Sequence, residues 1–413
     1  MKRRDFLKIN AAGSLYYLIP GLGLTSCTKN IFDPLDTAFE PDFCSPVDLD
    51  ETKGGFYVEY IQGKSYRPTD LELDSWQLTL AEEHAGAQKR SLKLNYTELM
   101  QAVDAIKNQN AFAEKSFFNT FQCVGNKPGG HLISNGYFTG IPLSTFFAHL
   151  GFDLTQANLQ RLYFHCYDGY STNHKIDRIL QDEQTPIYFV TKFNGVPLSD
   201  RRDGSMKHGF PVRLVTQGML GMKSPKGLTE LILSDRDDIE GWWETRPASR
   251  ARPDLNWADE PLLKINSKIT SHVNYQKIKP GTDVILQGFA VGGTASVEKV
   301  EVGSAKTSSP EDITWGAAKL MDRPDSMVRP DYDDSDGLAF SQAVDDFTTG
   351  TWPAPNVWCT WTLPWRTPSR PGKYFLAVRA TDTNGIVQPQ SETAEEKADG
   401  ENGYHVLTLQ VED

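Results

Sequence analysis

The stretch DRRDGSMKHGFPVRLVTQGMLGMKSPKG, residues 200–227, is a basic passage in an acidic chain. It holds Arg201, Arg202, Lys207, Arg213, Lys223, Lys226 and His208 against two acids, whereas the whole protein of 413 residues carries a formal charge of −12. Within it, PVRLV reads as a strand entered through Gly209-Phe210-Pro211, and QGMLGMKSPK as a glycine-rich loop whose backbone can approach a ligand closely. Arginine offers a planar fork and lysine a point charge, so cations clustered beside such a loop make a candidate anion pocket. A solvated basic face fits the same charge pattern, and charge alone leaves both readings open.

Some eighty residues upstream lies FNTFQCVGNKPGG, residues 118–130, where Cys123 follows two aromatics and runs straight into Val-Gly-Asn. A thiol at the start of a turn is either a buried free cysteine or a soft ligand held on a short, fixed arm, with Gly125 letting backbone pass close to a bulky group. Five cysteines are present: Cys27, Cys44, Cys123, Cys166 and Cys359. Their wide spacing contains no CxxC, and the chain contains no HExxH. If Cys27 is set aside, the other four allow three disulfide pairings. Cys166, in a strand-like run, reads as core packing.

Cys27 is set aside because of the N-terminus, MKRRDFLKINAAGSLYYLIPGLGLTSC. A basic start containing RRDFLK resembles a twin-arginine export signal. The apolar stretch that follows is broken by Gly13 and Pro20, so it reads as a targeting segment rather than a membrane span. Leu24-Thr25-Ser26-Cys27 resembles a bacterial lipobox, in which Cys27 would carry the lipid anchor; a plain signal with an incidental cysteine is the alternative. The expected location is therefore periplasmic or at the cell envelope. Roughly 385 residues remain after the signal, more than one core usually holds. The acidic charge argues against nucleic acid as a partner.

Residues 28–50 are polar, acidic and punctuated by proline, and read as a tether. From 51 to 246, short strand-like runs (GFYVEYI, WQLTL, RLYFHCYDGYS, IYFVTKFNG, LTELILS) mix with helical patterns. NYTELMQAVDAIK places Leu99, Ala102, Val103 and Ile106 at helical spacing, and PLSTFFAHLGF forms a shorter helix. Mixing without regular alternation indicates α+β architecture. Residues 247–263 read as a linker, and 264–413 as an immunoglobulin-like β-sandwich of alternating runs separated by turns. A polar insert near 304–350 reads as a surface excursion.

Together these segments resemble one family. FQCVGN (121–126), FTGIPLSTFF (138–147), DGYS (168–171), FNGVPL (193–198) and HGFPVRLVTQGMLGMKSPKGL (208–228) are similar, in order and spacing, to the sulfite oxidase family of molybdopterin enzymes. ITSHVNYQKIKPGTDVILQGFAVGG, WTLPWRTPSRPGKYFLAVRATDTNGIVQPQ and YHVLTLQV resemble that family's dimerisation domain, which implies a homodimer. The resemblance implies a molybdopterin cofactor with Cys123 as the protein ligand to molybdenum. His208, Arg213, Ser224, Pro225 and Lys226 then fall at cofactor-contacting positions, where the cations meet the terminal phosphate. Asp168 matches an acid that bonds the pterin, and Phe56 and Tyr57 match the first cofactor loop.

The sequence departs from the family at the substrate. Pro128 stands where a second arginine is expected and Thr191 where a tyrosine is expected, while the early arginine position falls near Val58-Glu59. These changes weaken capture of a dianion. Beside sulfite they bring in a neutral S-oxide or N-oxide, or another small oxyanion held by Lys127. Tyr137 and Tyr170 are either pocket-lining or packed in the core. The implied reaction is oxygen-atom transfer on a small molecule. With no CxxCH for haem, an external cytochrome or quinol system is the expected electron carrier. A non-catalytic lipoprotein that keeps the fold as a binding module is the alternative of another class.

Overall fold

The computed structural model describes residues 38, 43–45, 56–60, 71–111, 113–181, 186–200, 203–245, 261–323, 352–390 and 402–413. The export segment with Cys27, most of the tether, Arg201 and Arg202 lie outside the described residues, as do most of 247–263 and residues 324–350. No described helix is long and apolar enough to cross a membrane.

The chain first forms an antiparallel pair, β1 (Gln77–His84) and β2 (Ala87–Asn95), then helix α1 (Tyr96–Gln109). Asn95 caps that helix: its Oδ1 accepts from Glu98 N at 3.0 Å, and Glu98 Oε2 accepts from Asn95 N at 2.9 Å. The predicted apolar stripe faces inward through Leu99, Val103 and Ile106. Next come β3 (Lys115–Gln122), β4 (Ile133–Pro142) and α2 (Leu143–His149), followed by the hairpin β5 (Arg161–Cys166) and β6 (Ser171–Lys175) with α3 (Ile176–Gln181). The region closes with β7 (Ile187–Phe193), β8 (Val196–Pro197), α4 (Asp203–His208), β9 (Arg213–Thr216) and β10 (Leu228–Ser234).

These strands make two sheets. One runs β2-β1-β10-β5-β6, and the other β3-β4-β7-β8 with β9 beside β7. The turns β3–β4 and α4–β9 of the second sheet, the β5–β6 turn of the first and the β9–β10 crossing all open onto one cleft, described below. GFYVEYI corrects the sequence expectation: residues 56–60 form no strand, although Phe56, Tyr57 and Tyr60 are buried. Their apolar character serves aromatic packing rather than a ladder; Phe56 meets Phe193 edge-on with centroids 4.9 Å apart.

The remaining strands are β11 (Asn266–Ile269), β12 (Lys277–Ile278), β13 (Asp283–Val291), β14 (Val297–Lys306), β15 (Thr314–Ala317), β16 (Lys319–Leu320), β17 (Cys359–Arg366), β18 (Gly372–Asp382) and β19 (His405–Val411). They form a four-stranded sheet, β11-β13-β17-β16, and a five-stranded one, β12-β19-β18-β14-β15. Leu286 and Trp361 from the first pack with Val300, Leu376 and Leu409 from the second. This is a β-sandwich, with alternate residues turned into its core. The expected surface excursion is shorter than anticipated, because residues 314–320 join the sheets as β15 and β16.

A separate apolar cluster joins the two halves. Phe118, Tyr137, Leu220 and Met222 pack against Phe289 and Trp358. Tyr137 therefore sits between the halves rather than at the cleft. Trp358 N donates to Thr120 Oγ1 at 2.8 Å, and Thr120 N donates to Asn356 O at 2.7 Å. The strand that leads to Cys123 is thus sealed against the sandwich.

Candidate functional site

Cys123 follows β3 directly and is buried. Its N–H donates to Leu132 O at 2.9 Å, and its carbonyl accepts from Asn126 N at 2.9 Å. Asn126 Oδ1 in turn accepts from Leu132 N at 2.9 Å. The cysteine therefore starts a short loop closed by hydrogen bonds at both ends. The glycine that needs unusual backbone freedom here is Gly129, at φ 70°, and not Gly125. Among the described residues no disulfide joins Cys44, Cys123, Cys166 and Cys359, all of which are buried. Cys166 packs in the first core, and burial pushes its thiol well above the usual range.

Cys123 lines a cleft of about 830 Å³, counting the space open to solvent. Phe56, Tyr57, Asp168, Tyr170, His208, Arg213, Ser224, Pro225 and Lys226 line the same cleft. The cationic wall is built by local pairing. Leu214 N donates to Pro225 O at 3.0 Å, and Thr216 N donates to Ser224 Oγ at 2.9 Å. These bonds lay residues 224–226 along β9, with the Ser224 hydroxyl as an acceptor. Arg213 is buried and donates through Nη1 to His208 O at 2.8 Å and through Nη2 to Ser224 O at 3.2 Å. Lys226 Nζ lies 3.8 Å from the centre of the Tyr60 ring.

This wall is electrostatically expensive. Burial brings Arg213 down to about 10. Lys226 is part-buried, and burial, followed by Arg213, brings it down to about 7. Two cations held together away from bulk water gain most from an anion placed between them. In the same cleft, burial raises the Tyr57 and Tyr170 phenols well above their ordinary range, with the Cys123 thiolate form adding to both. Both therefore remain protonated at neutral pH. Tyr170 spends its proton on Met222 O, 2.5 Å away. Tyr57 lies against Gly221, where a Cβ would overlap its hydroxyl. Asp168 Oδ1 accepts from Tyr170 N at 3.0 Å.

Two expectations change. Lys223, counted among the anion-binding cations, points away from the cleft: its ammonium meets Glu244 Oε1 at 2.8 Å and Asn173 O at 2.8 Å, with both charged side chains fully buried. Lys127, expected in a substrate pocket, does not line the cleft, and neither does Thr191. Glu59 does line it, as do Trp242 and Trp243, which sequence reasoning did not single out. The adjacent tryptophans of GWWE were a signal available for this. Two large rings just beyond a strand make a wall, and Trp242 N is anchored to Ser171 O at 2.9 Å.

Residues 65–243 match the family model described as the oxidoreductase molybdopterin binding domain. The chain thus carries an oxidoreductase molybdopterin binding domain. Mitochondrial sulfite oxidase of Rattus norvegicus is 27% identical over 235 residues, covering 49% of this chain and 39% of that protein. The NADPH nitrate reductase of Emericella nidulans is 23% identical over 401 residues, covering 87% of this chain and 40% of that one. The chain thus spans about two fifths of the length of these curated relatives. In fold it is similar to the sulfane dehydrogenase SoxCD from Paracoccus pantotrophus, with a TM-score of 0.62 at 16% identity over 98% of this chain and 92% of that one.

The matched domain is one that binds molybdopterin, and the cleft fits that group. It offers a soft sulfur donor, a buried arginine beside a part-buried lysine suited to a phosphate, and aromatic rings to pack against a ring system.

Proposed function

We propose that this chain is an exported molybdenum enzyme that moves an oxygen atom to or from a small substrate, as sulfite oxidases do, and exchanges electrons with a separate carrier. The observation that carries the reading is that Cys123 and the Arg213–Lys226 pair, some 90 residues apart in sequence, face one cleft. When bound, the molybdenum cofactor supplies the two-electron oxygen-transfer chemistry.

The chain's own residues supply the setting. Cys123, deprotonated, is the metal ligand. Arg213, Lys226 and His208 hold the phosphate end, with Ser224 and Pro225 contributing backbone. Lys226, held down to about 7 by burial and Arg213, takes up a proton as an anion settles beside it. Asp168 accepts from the pterin, and Phe56, Tyr57 and Tyr170 pack around it. Trp242 and Trp243 keep bulk water from the ring system, which strengthens every charge contact inside. Glu59 is the acid nearest this machinery in sequence to the first loop, and a carboxylate there disfavours a second negative charge in the substrate.

We also read Met1–Cys27 as a twin-arginine lipoprotein signal that places the protein at the cell envelope, the sandwich as immunoglobulin-like, and the enzyme as a homodimer served by a cytochrome or quinol system. Elemental analysis of the full chain tests the central reading. Near-stoichiometric molybdenum is expected in the wild type, and little in Cys123→Ser. Unchanged molybdenum in that variant would overturn the ligand assignment. Loss of the mass of residues 1–26 with a diacylglyceryl group on Cys27 is expected from intact-protein mass spectrometry.

A further inference from the structure

The sandwich does more than abut the cleft domain. Asn266 and Lys268 alternate along β11, so both face the cleft domain, while Ile269 turns into the sandwich core and Ser267 bonds Gln388. Asn266 Nδ2 donates to Gln122 Oε1 at 2.9 Å, on the residue immediately before Cys123. Lys268 is buried, and its ammonium donates to Gly130 O and to His131 Nδ1, both at 3.2 Å. From β19, His405 packs under the same turn: a Cβ on Gly129 would overlap its ring. His405 Nδ1 accepts from Ile269 N at 3.0 Å. Burial, followed by Lys268 and His131, holds that imidazole down to about 3, so it stays neutral.

We propose that Asn266 and Lys268 are positioning residues for Cys123, gripping the two stems of its loop from the second half of the molecule. The route is short. Gly130 and His131 lead into Leu132, whose carbonyl accepts from Cys123 N and whose N–H donates to Asn126 Oδ1. Shifting the turn at 130–131 therefore shifts the backbone that carries the thiol. Both contacts act on backbone or on a residue adjoining the cysteine, so neither needs to touch the cofactor. A fixed ligand arm matters because a metal site tolerates little error in the placement of its donors.

The proposal rests on the reading of Cys123 as the metal ligand, and its test separates the two. The full-length chain is made without cofactor in a host lacking molybdopterin synthesis, as wild type, Lys268→Met, Lys268→Arg and His131→Ala. Alkylation of Cys123 by iodoacetamide is followed by mass spectrometry, with hydrogen exchange of peptide 120–134. Lys268→Met and His131→Ala are each expected to raise alkylation and local exchange by about tenfold, as loss of a charge-assisted hydrogen bond predicts. Lys268→Arg restores both, and exchange in Asp283–Val291 stays unchanged, which a general loss of stability would not allow. His131→Ala alters only the loop side and serves if Lys268→Met does not fold. Unchanged alkylation and exchange in the variants that fold overturns the positioning role. Molybdenum retained in Cys123→Ser would overturn the ligand reading and leave the alkylation result standing.

Discussion

Lys223 and Lys226 are three residues apart and lead opposite lives. Lys223 is fully buried against Glu244, with Thr172 Oγ1 donating to the same carboxylate oxygen at 2.5 Å. Lys226 has an aromatic face and the Lys207 carbonyl, 3.4 Å away, and a second cation, Arg213, among its closest charges. The first charge is answered by a contacting carboxylate, while the second, with Asp168 and Glu59 acting on it through space, is held for something else. A buried cation matched by an acid ties elements together. Here it joins the turn Gly221–Lys223 to the segment carrying Trp242 and Trp243. A cation whose surroundings depress it is a binding site waiting for an anion.

The largest expected effect comes from breaking the matched pair. Glu244→Ala leaves Lys223 buried without its counter-charge and is expected to cost about 3–5 kcal/mol in denaturant unfolding of the full chain. The double variant Lys223→Met, Glu244→Leu should recover most of that loss, since a packed apolar pair replaces two desolvated charges. Lys226→Met should behave in the opposite way. Cofactor-free protein keeps or gains stability, because a desolvated charge is removed, while retained molybdenum after gel filtration falls. If Glu244→Ala unfolds no more easily than Lys226→Met, the contrast between the two lysines fails.

Charge composition could not have separated them. In sequence, Lys223 and Lys226 belong to one basic run, and the acid that claims Lys223 lies beyond β10, brought near only by the fold. Local patterns were legible where local physics decides. Helix α1 follows its apolar spacing and its Asn95–Glu98 box, and the long sandwich strands follow their alternation. GFYVEYI alternates too, but its rings fill the cleft wall without pairing. The motifs FQCVGN, DGYS and HGFPVRLVTQGMLGMKSPKGL supply Cys123, Asp168, Arg213 and Lys226 to the cleft from strand ends and turns, whereas FTGIPLSTFF and FNGVPL lie away from it. Nothing local marks Asn266 and Lys268, which look like ordinary polar positions of an edge strand until the Cys123 loop is laid against them.

The depressed lysine also fixes a pH dependence for the cofactor-free protein. Burial and Arg213 hold Lys226 at about 7 when folded, against 10.5 as its ordinary value. Between those limits the unfolded chain binds the extra proton, so stability rises with pH from about 7 to about 10.5 and is flat below. The penalty is fully present below the lower limit, where both states are charged. Lys226→Met should abolish this rise in unfolding midpoints measured across the window. A bound phosphate group should also flatten it, by raising the lysine back toward its ordinary range.

The finest test addresses what keeps Lys226 as high as it is. The Tyr60 ring faces its ammonium at 3.8 Å, while the Tyr60 hydroxyl is spent on Met206 O at 3.1 Å. Tyr60→Leu removes the ring, and losing about 0.5–1 kcal/mol of cation–π attraction should lower the lysine by about half a pH unit in a 15N titration. Tyr60→Phe keeps the ring and loses one hydrogen bond, about 1 kcal/mol of stability, with the titration unmoved. If phenylalanine shifts the lysine as far as leucine does, the hydroxyl and the segment it anchors set its charge. The aromatic face would then be mere packing, and the difference between the two lysines would rest on burial and Arg213, set against Asp168 and Glu59.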